Sequence, residues 1–426
     1  MKEINTSKKL ILGVQHVLAM FGATVLVPFL TGLNPAIAIF SAGVGTLLFH
    51  LVTKRIVPVF LGSSFAFIGA IALTLNPQGF SSAALTSPEN WSLYLQNLAN
   101  VKGGIIAAGV VYMLISILIY FAGVDAVKKF FPPIITGPII IVIGLRLSPV
   151  AINNSFYVNG QFDLKSALVA LVVVVTMVVV SIFTKGFFQL VPILISVVIG
   201  YLVSVPLNLV DLSGFTNASL FTFSASNIQE QIMTVPAFSW SNVIAIAPIA
   251  LVVFIEHIGD ITTNGAVVGK NFFENPGIHR TLFGDGIATV FAGLVGGPAN
   301  TTYSENTGVL AVTKVYDPAI LRIAAAFAIV FSMSGHLAYL VQSIPVAVMG
   351  GVSIILFGMI ASVGVRILIT SNLDFAYSRN LLISAIILVL GIGIGELPLA
   401  NNLSISGLAV AALVGIIVNQ VLPQEI

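Results

Sequence analysis

Long apolar runs recur from one end of the chain to the other, cut by charges, Gly/Pro clusters or short polar stretches. Their hydropathy marks about fourteen membrane-spanning segments, beginning near residues 9, 36, 57, 103, 131, 166, 188, 241, 281, 300, 319, 341, 380 and 403. The third and tenth break the pattern. Polar or small residues interrupt them, LGSSFAF at 61–67 and PANTTYSENTG at 298–308, and only a short apolar stretch follows each. Thr301, Thr302, Tyr303 and Ser304 suit an extended strand and Glu305 to Lys314 a half-helix, with Ser304 as its N-cap. Ser63 and Ser64 precede Phe65 in the same arrangement. Two half-helix N-termini are therefore expected to face each other near the bilayer midplane, joined by strands that pair. Longer polar loops are expected at 77–102, 148–165 and 207–240.

The chain also repeats itself weakly. Gln15 and His16 correspond to Glu256 and His257 at an offset of 241, and Ser64 and Phe65 to Ser304 and Glu305 at an offset of 240. Pro132 and Gly137 correspond to Pro345 and Gly350 at an offset of 213, as loss of a loop like 77–102 from the second half would produce. Seven spans per copy is odd, so the second copy enters from the opposite face. An inverted repeat with one broken helix in each half is a recurring plan of secondary transporters. The expected fold class is an all-α polytopic membrane protein with short strands in spans 3 and 10.

Composition sharpens this picture. Of 426 residues 58% are hydrophobic and only 8% charged, against roughly 45–50% and 25% in soluble domains. Mean hydropathy is +1.08. Such a chain cannot clothe a water-soluble surface. A net charge of +2 offers nothing to nucleic acid, and zero cysteines exclude disulfides, thiolate metal sites and a Cys nucleophile. No small-residue cleavage site ends the first apolar run, so it reads as a retained helix. With the N-terminus inside, fourteen of the seventeen basic residues fall on the cytoplasmic side, leaving Lys102, Arg146 and Lys165 outside. A missed span would invert that asymmetry downstream, so both termini are expected to be cytoplasmic.

Ionisable residues at bilayer depth mark substrate or proton pathways. The acids within spans are Glu256, Asp260, Asp285 and Glu305. Glu256 and Asp260 are four residues apart and share a helix face. With no basic partner in sequence, they are easily neutralised by a proton, which suits them to proton carriage. Asp285, near an end of its span, reads as structural, as do His16 and His257, hydrogen-bonding between helices. Glu305 falls in the first turn of its half-helix, where free amides and the positive dipole end gather. Phe65 taken alone is a core or lipid-facing residue. Together these groups offer amide donors, carboxylate acceptors and aromatic faces from Phe65 and Tyr303. A small planar ligand with alternating carbonyls and N–H groups fits; an anion would be repelled, and a sugar would want more polar partners.

The stretches QHVLAMFGATVLVPFLTGLNP (15–35), LGSSFAF (61–67), EHIGD (256–260), NPGIHR (275–280), PANTTYSENTGV (298–309) and IPVAVMGGVSIILFG (344–358) resemble the nucleobase–ascorbate transporter family, and within it the bacterial uracil permease branch. The resemblance covers nearly the whole chain. It implies fourteen spans in two inverted repeats, with core segments at 1–125 and 208–338 and gate segments at 126–207 and 339–426. It further implies that Glu256 and Glu305 hold uracil, that the backbone at Phe65 and Ser304 supplies amide donors, and that Tyr303 lines the site. Purine-selective relatives carry Gln where Glu305 stands, so Glu305 favours a pyrimidine. Some uracil carriers have His in place of Asp260, and some relatives have Gly in place of Ser304. The expected activity is proton-coupled uracil import across the cytoplasmic membrane by alternating access, with Glu256, Asp260 and Glu305 handling the proton. No enzyme chemistry, metal or cofactor is expected; the proton is the coupling ion. The partners are uracil or a related nucleobase and the bilayer, with a homodimer through the gate segments. A purine or xanthine symporter and an anion channel or exchanger on the same scaffold are the alternatives. The Pro and Gly residues at 132–138 and 345–351 either flex or pack the gate helices.

Overall fold

The computed structural model describes residues 5–423 apart from 77, 79–84, 124–131, 217–218 and 401–402. Lys2, Lys128 and Lys129 of the charge asymmetry lie outside the described residues. Seventeen helices are used below: α1 (Thr6–Thr31), α2 (Pro35–Val52), α3 (Ile68–Leu75), α4 (Trp91–Ala122), α5 (Pro133–Arg146), α6 (Ser148–Phe156), α7 (Leu164–Phe183), α8 (Pro192–Ser204), α9 (Ser226–Met233), α10 (Trp240–Ile246), α11 (Ile249–Val268), α12 (Ile278–Val295), α13 (Ser304–Thr313), α14 (Pro318–Ser332), α15 (Val346–Thr370), α16 (Ser378–Gly393) and α17 (Gly407–Val421). Three two-stranded ladders pair β1 (Leu61–Ser63) with β4 (Asn300–Thr302), β2 (Tyr157–Val158) with β3 (Gln161–Phe162), and β5 (Glu396–Ala400) with β6 (Leu403–Ser406).

Among the described residues, seven helices are long and apolar enough to cross a bilayer: α1, α2, α4, α7, α15 and the continuous pairs α5–α6 and α10–α11. Their surfaces confirm the solvent. On α7 the inward face carries Val169, Ala170, Val173 and Met177 at helical spacing. The outward face exposes Leu168, Leu171, Val175 and Ile182. A helix in water would be polar on that side. This is a multi-pass membrane protein.

Local signals set the helix ends. Gly32 closes α1 in the left-handed region at φ 82°. Asn34 Oδ1 then accepts the Ala36 amide at 2.9 Å to cap α2, whose first residue is Pro35. Two sets of helices build up around such turns. α4 lies along α12, α2 packs on α12 and α14, and α1 on α14; α15 packs on α5, α6 and α7, and α16 on α5 and α17. Glycine permits the closest crossings. A methyl on Gly109 of α4 would meet the Gly286 carbonyl of α12 at 2.8 Å, and one on Gly364 of α15 would meet the Gly137 carbonyl of α5 at 2.6 Å. Gly137 therefore serves close packing in this structure.

The loop expected at 77–102 is helix from Trp91 onward, where α4 begins. Tyr94, Asn97, Leu98 and Val101 are buried at helical spacing, while polar neighbours dilute the hydropathy of the same turns. The 148–165 segment likewise folds, into α6 and the β2–β3 hairpin, and 207–240 contains α9. Lys102, expected in solvent, is fully buried. Its ammonium donates to the carbonyls of Gln231 (3.2 Å), Ile232 (3.0 Å) and Thr234 (2.6 Å). These belong to the C-terminal end of α9, where helix carbonyls lack partners and the dipole is negative. Lys102→Met should leave three carbonyls without their shared donor and lower stability by about 3 kcal/mol. A thermal unfolding curve in detergent that matches the parent protein would refute that role.

Candidate functional site

The two interrupted segments meet as the sequence suggests. β1 and β4 pair antiparallel, Leu61 opposite Thr302, Gly62 opposite Thr301 and Ser63 opposite Asn300. The ladder continues one bond at each end, Ser64 N–H to Ala299 O at 2.8 Å and Tyr303 N–H to Phe60 O at 3.0 Å. Hydroxyls from flanking helices serve the outer edges. Thr46 of α2 accepts the Leu61 amide at 2.9 Å, and Thr289 of α12 accepts the Asn300 amide at 3.2 Å. Extended backbone at membrane depth survives only with this degree of satisfaction.

Each strand leads into a half-helix. β1 continues through a single 3-10 turn, Phe65–Phe67, into α3, and β4 leads into α13. The residue before α13 is Tyr303, not Ser304, and no side chain caps either start. Ser304, expected as the cap, is the first helical residue and is exposed. The strand's pairing holds through the Tyr303 amide, so the turn into helix falls one residue later than a serine cap would place it. The side chains of the preceding residues, Ser64 and Tyr303, therefore accept none of the first-turn amides.

α13 is held from two sides. Asn306 Nδ2 donates to the His16 carbonyl of α1 at 2.9 Å. Asn264 Nδ2 of α11 donates to Thr307 Oγ1 at 3.0 Å. Successive residues point about 100° apart on a helix, so with Asn306 and Thr307 turned into neighbouring helices, Glu305 and Ser304 are left out of those two contacts. α11 crosses this region, packed on α13, on β4 and on the Phe65 turn, and also on α5 and α17. It presents Glu256 and Asp260 one turn apart. The Asp260 carboxylate accepts Thr302 Oγ1–H at 2.9 Å. Glu256 lies within electrostatic reach of Glu305 and Asp285. Glu256, Asp260, Glu305 and Phe65 are all half-buried, and among the described residues no basic side chain pairs with the first three. Phe65 borders a gap of about 30 Å³ shared with Ile143 and Leu147 of the other helix set and Leu408 of α17. It thus faces the seam between helix sets rather than lipid.

The permease family (Xan_ur_permease) is matched over residues 7–400. The chain belongs to this family. The permease is 42% identical over 413 residues to a uracil permease of Bacillus caldolyticus, covering 97% of this chain and 91% of the relative. It is 40% identical over 420 residues to a uracil permease of Bacillus subtilis (strain 168), covering 96% and 91%. Its fold is similar to murine Slc26a9, an anion transporter in the inward-facing state, with a TM-score of 0.71 at 12% identity over 99% of this chain and 68% of that one. Membership makes the chain a transport protein and not an enzyme, as the motifs implied.

The structure thus gathers Phe65, Glu256, Asp260, Tyr303, Ser304 and Glu305 around one junction. Tyr303 differs from the rest. It is 4% exposed, its hydroxyl donates to Ser63 O at 3.0 Å and receives Thr24 Oγ1–H at 3.4 Å. It is a wall of the permease's junction whose polar tip is spent within the protein. Both histidines bridge helices, His16 to Asn306 and His257 to Asp285 and Thr281. Residues missed in the sequence are Thr46, Thr289, Asn264 and Thr307, whose polar groups hold the strands and α13. An offset of 243 between Thr46 and Thr289 was the available signal.

The Tyr303 ring leaves no room above the ladder. A methyl on Gly62 would meet its Cζ at 2.2 Å, whereas one on Gly69 in α3 meets nothing within 4 Å. Gly62→Ala should therefore cost about 2 kcal/mol. Gly69→Ala should be neutral or stabilising. Equal melting behaviour of the two purified variants would contradict the packing described.

Proposed function

We propose that the permease is a proton-coupled uracil symporter that imports its substrate by alternating access. The observation that carries the reading is the meeting of Glu256 and Glu305 beside two half-helix starts whose preceding residues, Ser64 and Tyr303, supply no side-chain cap. Uracil is flat and neutral, with two carbonyls and two N–H groups. The carbonyls take first-turn amides at Phe65 and Ser304, the N–H groups donate to the Glu256 and Glu305 carboxylates, and the ring packs on Phe65. The uracil permeases at 40–42% identity support that substrate. A proton entering from outside neutralises Glu256, with Asp260, tied to β4 through Thr302, as the neighbouring relay. The proton is the only coupling ion required.

The movement requires two bodies. Packing of α1, α2, α4, α12 and α14 with one another, and of α5, α6, α7, α16 and α17 around α15 or its neighbours, supports a core at 1–125 and 208–338 and a gate at 126–207 and 339–426. Helices and half-helices then make about fourteen crossings in two inverted repeats. The basic-residue asymmetry supports cytoplasmic termini. The lipid-facing apolar side of α7 gives the gate a surface on which a second copy can pair.

The fold is shared with an anion transporter, but folds host many functions. Two carboxylates at the half-helix starts oppose an anion there, which favours the neutral substrate. Glu305 in place of the Gln of purine-selective relatives favours uracil over xanthine, and competition by xanthine measures that preference.

In proteoliposomes, an acid-outside gradient should drive uracil accumulation that a protonophore abolishes; accumulation indifferent to the protonophore would reject proton coupling. Glu305→Gln replaces a charged acceptor by a neutral one and should weaken uracil binding roughly 10- to 100-fold. Unchanged affinity would remove Glu305 from the site.

A further inference from the structure

A cleft of about 810 Å³ opens on the side of the molecule where α1 ends and α2 begins, lined by none of the residues that the transport reading uses. Its walls include Phe29 in the last turn of α1, Asn34 before α2, Trp91 and Tyr94 in the first turn of α4, Glu230 on α9, and Gln342 shortly before α15. Gln342 leads into the second helix set, whereas the others belong to the first, so the cleft lies across their boundary. It also lies near the junction. Leu30, next to Phe29 on α1, and Phe65 pack against the same apolar cluster of Val27, Ile68 and Leu147.

The polar and aromatic groups of the cleft are held in place before any ligand arrives. The Trp91 and Tyr94 rings, one turn apart on α4, stack at 14° with centroids 5.1 Å apart. Trp91 Nε1–H donates to Glu230 Oε2 at 2.5 Å, and the Tyr94 hydroxyl donates to Gly32 O at 3.2 Å. Lys102 fastens the C-terminal end of α9 to α4 through the Gln231 and Ile232 carbonyls, which fixes Glu230 beside the indole. Among the described residues Glu230 has no basic partner. With Oε2 committed to Trp91, Oε1 remains as a charged acceptor. Asn34 is only 8% exposed, and its Oδ1 accepts the amides of Ala36 and Ile37. The group it has left to offer is the Nδ2 donor.

We propose that this cleft is a second, outlying site for a planar heterocyclic amide, which stacks on Trp91 and donates an N–H to Glu230, with Asn34 Nδ2 as the donor available to its carbonyls. The Glu230 charge opposes an anion, and a sugar has no π face to lay on the indole. The cleft is far larger than one flat ring and stays open, so it collects the ligand rather than enclosing it, and it binds weakly. Its use, to hold substrate ahead of Glu256 and Glu305, rests on the transport reading; the binding itself does not.

Fluorescence can test the site directly, because the chain has only two tryptophans. Trp240, at the start of α10, is 79% exposed and takes no part in the cleft wall. Trp240→Phe therefore leaves Trp91 as the sole indole emitter. Uracil added to that purified protein should quench the emission along a saturable curve. Glu230→Gln in the same background should weaken the response roughly 10-fold, while Glu305→Gln, at the junction, should leave it unchanged. Quenching that is absent, that rises linearly with uracil, that ribose reproduces, or that disappears with Glu305→Gln overturns the proposal. Should Trp240→Phe fail to insert, Trp91→Phe is compared with the unmodified protein: the saturable component should vanish, and its persistence overturns the site. Saturable quenching in protein that accumulates no uracil would support the cleft and defeat the transport reading alone.

Discussion

Three residue pairs of extended backbone, set among helices in a bilayer, govern the rest of the molecule. Backbone groups in hydrocarbon have no water to fall back on, so β1 and β4 can exist only by pairing with each other. Antiparallel pairing has a geometric consequence. The half-helices start from opposite ends of a three-residue ladder, about 10 Å apart at ~3.4 Å per residue, and run in opposite directions. The register of Ser63 against Asn300 and Leu61 against Thr302 therefore sets the distance between the two half-helix starts. A slip of one residue would turn the ladder's side chains to the opposite face. Thr302, which holds Asp260, would lose it, and Gly62 would no longer lie beneath the Tyr303 ring.

The same ladder is compatible both with the fold shared with an anion transporter and with the neutral ligand proposed for the permease. Amides and dipole ends at two helix starts are general acceptor-binding equipment, indifferent to whether the oxygen presented belongs to an anion or to a carbonyl. Discrimination comes from what stands opposite. In the permease those groups are acidic. In the proposed site, Glu256 and Glu305 would convert a junction suited to negative charge into one that demands hydrogen-bond donors on the ligand. Carbonyls and N–H groups must then be present on one small flat body, a requirement that heterocyclic amides meet and simple anions do not.

The sequence revealed the parts of this arrangement that contrast with their surroundings. Polar residues inside long apolar runs exposed both broken spans, and the same contrast identified Glu256, Asp260 and Glu305. Signals without contrast were lost. The first three turns of α4 carry Ser92, Gln96, Asn97 and Asn100 beside buried Tyr94 and Leu98, and average hydropathy hides an amphipathic helix of that kind. Lys102 looked like an external charge because burial of a lysine depends on carbonyls 129 to 132 residues away. Thr46 and Thr289 are ordinary residues of membrane helices until the fold places them against a strand edge. The Ser304 cap failed for a related reason: strand pairing extends through the Tyr303 amide, and tertiary constraint overrode a local preference.

Rigidity on one side of the site is what gives its acids meaning. Asn306 and Thr307 fasten α13 to α1 and α11, Thr302 fastens α11 to β4, and Asn264 also donates to Pro58 O at 3.1 Å, just before β1. Glu256 and Glu305 consequently sit on elements that are cross-braced to one another. On the other side of α11 the neighbours are α5 and α17, and the contact at Phe65 is a mostly apolar seam with Ile143, Leu147 and Leu408, joined by Arg146 and Ser406. Apolar seams slide at lower cost than hydrogen-bonded braces break, because no buried donor or acceptor need be exposed. A relative movement of the two helix sets would therefore part along that seam, carrying both carboxylates and both half-helix starts together. In the transport cycle proposed above, the ligand's hydrogen bonds would survive that step and only its access would change.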